Sequence, residues 1–103
     1  MKIMISQPMS GLSLSEIAHQ RDKIEMKLES LGHEVVNSYF KEFNEENRCD
    51  LAHVPVYYLG KALQKMAECD AVYFAEGWEL ARGCAIERAV AENYGLIIME
   101  GEL

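Results

Sequence analysis

Four short apolar runs, "KIMIS" at 2–6, "HEVVNSYF" at 33–40, "DAVYFAEG" at 70–77 and "LIIME" at 96–100, alternate with longer stretches whose apolar residues recur every three or four positions. No other feature of the chain restricts the fold as much. Strands that are apolar at nearly every position have no side to offer water, so they are expected in a parallel sheet covered on both faces. The stretches between them then become crossover helices, right-handed because of the twist of the strands. The first, "SLSEIAHQRDKIEMKLESLG", offers Ser13 and Glu16 as a capping box, with Ile17, Ile24, Leu28 and Leu31 on one face and Gly32 as its stop. The second runs from Pro55 to Glu68 with Val56, Leu59, Leu63 and Met66 at helical spacing; Pro55 suits a first turn, and Gly60 weakens the interior. The third, "ELARGCAIERAVAENYG", ends at Gly95. The expected fold is therefore α/β: one three-layer Rossmann-like or flavodoxin-like domain over 1–103, with about four parallel strands in the order 2-1-3-4 and helices on both faces.

Charge narrows the partners. Seventeen acidic against ten basic residues give a net charge of −7, the wrong sign for duplex nucleic acid or an anionic membrane surface. The opening "MKIMISQPMSG" reaches Ser6, Gln7 and Pro8 after a few apolar residues, far short of a signal-peptide core or a membrane span, so a cytoplasmic protein is expected. Cys49, Cys69 and Cys84 are odd in number and lack CxxC spacing, which points to reduced thiols. His19, His33 and His53 are scattered, so neither a metal site nor a cofactor is assigned. The charged stretch "KEFNEENRCD" reads as a surface loop with Asp50 as a cap, and Tyr39, Tyr57, Tyr58 and Tyr73 read as half-buried core.

Parallel sheets of this kind bind ligands beyond the carboxyl ends of their strands, which here means "SQPMSG" after the first strand and "EGWELARG" after the third. Ser6, Ser10 and Gly11 can present hydroxyls and backbone N–H groups to a phosphate or sugar at the start of the following helix, or can simply make a good turn. Neither GxGxxG nor GxxxxGK[ST] occurs. In the second loop Trp78, Glu79, Arg82 and Glu87 surround a turn at Gly83. Arg82 can bind a phosphate bidentately or pair with Glu79 or Glu87, and Trp78 can stack on a base or pack over the sheet edge. Glu87, four residues after Gly83, can serve as a nucleophile or base, or can sit there because a helix dipole favours a carboxylate near its start. Cys84 is expected to be a small buried residue.

"MKIMISQPMSG" together with "CDAVYFAEGWELARGCAIERAVAENYGLIIM" resembles the nucleoside 2-deoxyribosyltransferase superfamily, above all its short phage and bacterial branch, whose opening is similar to "ISGPMTG". The likeness covers the first strand-and-helix unit and everything after Cys69; between them it is carried by "NSY" at 37–39. It implies that Glu87 attacks the anomeric carbon of a deoxynucleoside or its monophosphate. It further implies that Ser6, Gln7, Pro8, Met9, Ser10 and Gly11 line the sugar or phosphate site, with Arg82 and Gly83 beside it and Trp78 at the base. The partner implied is a small nucleoside or nucleotide, and the superfamily's habit of completing sites from a neighbour implies a homo-oligomer. One departure stands out. Characterised members carry an aspartate eight residues before the one that opens the third strand, where it helps protonate the leaving base; counting back from Asp70 gives Ala62. General acid catalysis is worth ~10²–10⁴ in rate, so either Glu76 or Glu79 substitutes with a raised pKa, or the chain binds without turnover.

Overall fold

The computed structural model describes residues 1–9, 11–36 and 52–103. Within them the order is β1 (Lys2–Ser6), α1 (Leu14–Ser30), β2 (Glu34–Val36), α2 (Val54–Met66), β3 (Ala71–Phe74), a 3-10 turn (Trp78–Leu80), α3 (Arg82–Asn93) and β4 (Ile97–Glu100). The strands form one parallel sheet in the order β2-β1-β3-β4. This is the α/β fold and the strand order expected from the sequence. The second strand is described only to Val36, so the rest of "HEVVNSYF", the loop "KEFNEENRCD", Tyr39, Cys49 and Asp50 lie outside the described residues, as does Ser10.

The pleat of β1 and β3 separates two apolar layers. Ile3, Ile5, Ala71, Tyr73 and Ala75 point to one face, where Leu28 and Ile24 of α1 cover them. Met4, Val72 and Phe74 point to the other, where Met66 of α2 and Ala91 of α3 close the layer. Side chains alternate along a strand, so the same parity continues past the core: Ser6 follows Met4 toward α3, and Gln7 follows Ile5 toward α1. Both strands stop for local reasons. Pro8 has no N–H to extend the β1 ladder, while β3 runs through the Ala75 N–H to Ser6 carbonyl bond (2.9 Å) into Gly77, whose φ of +88° favours glycine. A Cβ at Gly77 would stand 3.7 Å from Pro8 Cγ, so the two loops touch.

Helix faces differ from expectation at particular positions. Ser13 caps α1 by accepting the Glu16 N–H at 3.1 Å, and Gly32 follows at φ +89°. Leu31, however, is exposed, because it lies past the last turn of α1, and the stripe is completed instead by Arg21 between Ile17 and Ile24. In α2 the expected Val56 faces outward, and Tyr58, at the start of the second turn, takes the buried place. Gly83 is not a turn residue: it is the second residue of α3, and the turn glycine is Gly77. No helix among the described residues is long and apolar enough to cross a membrane.

Candidate functional site

Ser6 and Glu87 meet at the carboxyl end of β1. The Ser6 hydroxyl donates to Glu87 Oε1 at 3.5 Å, a long bond between residues 81 apart in sequence. Ser6 is 1% exposed and Glu87 8%, so the carboxyl has lost nearly all its water. Its position follows from α3. Cys84, Glu87 and Ala91 fall on one face at spacings of three and four, and all three are buried. Because α3 begins at Arg82, Glu87 lies in the second turn, beyond the reach of a dipole effect confined to the first. The dipole therefore does not account for a carboxylate here.

Burial pushes the Glu87 carboxyl up from 4.5 to about 7, against the lowering influence of the Ser6 hydroxyl. Glu87 is thus balanced between acid and carboxylate near neutral pH, the condition in which a carboxyl group exchanges protons most readily. Burial likewise raises the Cys84 thiol, with Ser6 pulling it down and the Glu87 carboxylate adding to the rise. Cys84 is accordingly the small buried residue expected, held as a thiol.

Gln7 faces the opposite layer. Its Nε2 donates to the Ile17 carbonyl and to Gln20 Oε1, both at 2.8 Å, which ties the end of β1 to the first turns of α1. Its Oε1 is buried without a hydrogen-bond partner among the described residues. Pro8 and Met9 are half-buried, and Gly11 is exposed at φ +82° in a turn closed by the Leu12 N–H to Met9 carbonyl bond (3.3 Å). Arg82 is exposed and makes no ion pair with Glu79 or Glu87. Gly83 is half-buried beside Cys84 in α3.

Trp78 lies elsewhere in the fold. Its ring packs against Phe74 at 5.7 Å and carries the Arg88 guanidinium at 4.5 Å. Arg88 also bonds Glu92 at 3.0 Å and Glu100 at 2.9 Å, fastening α3 to β4. The Arg88 bond holds the Glu100 carboxyl below its ordinary value, and the Trp78 indole adds to the effect. A cavity of about 490 Å3 opens beside this cluster, lined by Trp78 but not by Ser6 or Glu87. Another, of about 390 Å3, lies between α1 and Val35. The structure therefore brings Ser6 together with Glu87 and Pro8 with Gly77, and turns Trp78 toward Arg88.

Two residues and one contact escaped the sequence reading. Arg88 was signalled by Glu92 one turn later, and Arg21 by its place in the 17-21-24-28 stripe. The link from Gln7 to α1 had no sequence signal beyond the parity of β1. Among the described residues no group of three or more His, Cys, Asp or Glu could hold a metal ion. No curated protein and no solved structure matches the chain. Residues 1–100 match the model of a family described as Domain of unknown function (DUF4406), and the chain belongs to that family.

Proposed function

We propose that this protein binds a nucleoside or nucleotide and cleaves or exchanges its N-glycosidic bond, with Glu87 as nucleophile. The observation that carries the reading is the buried Ser6–Glu87 contact at the carboxyl end of β1, where a carboxyl displaced to about 7 stands beside the loop that begins at Gln7. The resemblance of "SQPMSG" and "ARGCAIE" to the nucleoside 2-deoxyribosyltransferase superfamily supports the same assignment. In the proposed reaction one Glu87 oxygen forms a bond to the anomeric carbon as the carbon–nitrogen bond breaks, and the electron pair leaves on the base. The base takes a proton from solvent, since Ala62 offers none. Water or a second base then displaces the carboxylate. Ser6, bonded to Oε1, orients the group and leaves Oε2 to attack.

A second reading has its own support. Glu87 is 8% exposed and lines neither cavity described above, and Ala62 replaces the proton donor of characterised enzymes, as a non-catalytic nucleotide binder would allow. A homo-oligomer belongs to either reading: β4 is an edge strand with Ile97 and the nearby Tyr94 exposed. The deciding experiment incubates the purified chain with deoxynucleosides and their monophosphates and measures free base by chromatography. Released base that disappears in Glu87→Ala, with the fold kept, supports the enzyme. Ligand-induced stabilisation without released base supports the binder, and turnover unchanged by Glu87→Ala removes Glu87 from the mechanism.

A further inference from the structure

Three buried side chains meet at the end of β1. Ser6 is 1% exposed, Cys84 4% and Glu87 8%, and Cys84 and Glu87 lie about one turn apart on the same face of α3. Cys84 is the member of the three that the proposed reaction leaves unused. Ser6 engages both of the others: its hydroxyl donates to Glu87 Oε1 at 3.5 Å, and it is also hydrogen-bonded with the Cys84 thiol. A hydroxyl has one proton to donate and lone pairs to accept with. Since that proton goes to the Glu87 carboxylate, the bond with Cys84 must run the other way, from the thiol hydrogen to Ser6 Oγ. The thiol can fill this role throughout the neutral range, because burial holds it protonated.

The geometry points to Cys84 as a positioning residue for Glu87, acting through Ser6 in a chain that runs from the Cys84 thiol to Ser6 Oγ and from the Ser6 hydroxyl to Glu87 Oε1. With the thiol on its oxygen, the Ser6 hydroxyl is fixed in direction, and each bond polarises the next. The inference rests on the reading of Glu87 as nucleophile for its effect on turnover, while the chain of bonds is tested without turnover. The chain also reverses. A protonated Glu87 becomes a donor to Ser6 Oγ, the Ser6 proton then turns to Cys84 Sγ, and the thiol changes from donor to acceptor. Charged neighbours do not override this exchange. On α3, Arg82 is exposed and Arg88 is turned to Trp78, Glu92 and Glu100, and no charged group of another element enters the causes of the Glu87 shift.

The test is infrared spectroscopy of the thiol S–H stretch in the full chain, titrated across neutral pH. A donating thiol absorbs at lower frequency than a free one. One S–H band is expected to move to lower frequency as pH rises through about 7, following the ionisation of Glu87, and to stay fixed in Glu87→Gln, whose side chain does not titrate. Its loss in Cys84→Ser assigns the band. Cys69, which donates to the Lys65 carbonyl at 3.3 Å, should give a band that does not move. In NMR titration Cys84→Ala should raise the Glu87 midpoint by about 0.2 pH unit, and in assay lower turnover about threefold at unchanged KM, with Cys84→Ser restoring both. A band that ignores pH, or a Glu87 midpoint unmoved in Cys84→Ala, overturns the inference and leaves the nucleophile reading standing. A band that titrates in a protein releasing no base upholds the chain of bonds and sinks the nucleophile reading instead. The parent and Glu87→Gln spectra decide the point by themselves should Cys84→Ala fail to fold.

Discussion

Two regions at the same end of the sheet hold their charges in opposite ways. Between β1 and α3 the Glu87 carboxyl is buried with one long hydrogen bond from Ser6 and with no cation among the causes of its shift, so burial dominates and the group is pushed up to about 7. Between α3 and β4 the Glu100 carboxyl is solvated, bonded by Arg88 and held below its ordinary value. Both are glutamates, 13 positions apart. Environment, not residue type, sets the difference: the first is destabilised as a carboxylate by burial, and the second is stabilised as one by its bond to Arg88.

The contrast is open to attack first through activity. On the proposed mechanism, Glu87→Ala should lower glycosidic turnover by at least about 10³-fold, the scale seen when a nucleophile is removed, while Glu100→Gln leaves turnover within about twofold. A comparable loss in both variants would erase the distinction.

The next effect is on stability. The folded-state value of Glu87, about 7, lies above its ordinary 4.5, so between these values the folded protein holds more protons than the unfolded chain. Stability from this group is therefore full below about pH 4.5, falls as pH rises toward 7, and is flat beyond. At 1.36 kcal/mol per unit the total is about 3 kcal/mol. Glu87→Gln should match the parent near pH 4 and exceed it in chemical denaturation at pH 8; parallel pH profiles for the two would show that Glu87 is not the buried titrating group.

Ser6→Ala sharpens the comparison on a smaller scale. Removing the hydroxyl that opposes the rise should push the Glu87 carboxyl higher still and destabilise the fold at pH 8 by about 1 kcal/mol, as expected for one lost hydrogen bond. Carbon-detected NMR titration of the Glu87 carboxyl reads the first effect directly. The smallest change is expected in the solvated region: Arg88→Ala loses its pairs with Glu92 and Glu100, and the loss should shrink in high salt. A loss of several kcal/mol, insensitive to salt, would mean that the Arg88 cluster belongs to the core after all.

The contrast also marks what a reader of sequence can and cannot reach. Strand order and layers were legible because they follow from the alternation of apolar runs and helical stripes, which Ile3, Ile5, Met4 and Val72 obey residue by residue. The burial of Glu87 was legible as well, since Cys84, Glu87 and Ala91 form a helical stripe, although it was first weighed as a dipole effect. The neighbours of Trp78 were not. Whether an indole stacks on a ligand or on Arg88 depends on how α3 meets β4 in three dimensions, and the spacing from 78 to 88 to 100 carries no periodic trace of it. Gly83 misled for a related reason: glycine marks a turn only where φ is positive, and in this stretch that is true of Gly77 alone.

The end of β1 imposes a rule on how this chain can vary. Ser6 engages α3 and the next residue, Gln7, engages α1, so two adjacent positions address opposite layers of the molecule. Inserting or deleting one residue between Lys2 and Ser6 would exchange these two assignments and shift neighbouring core residues of β1 from one apolar layer to the other at the same stroke. Insertions in the turns around Gly11 or Gly95 would do neither. Length variation among related chains should accordingly be confined to such connections, with the distance from the first β1 residue to Gln7 held constant even where the residues within it change.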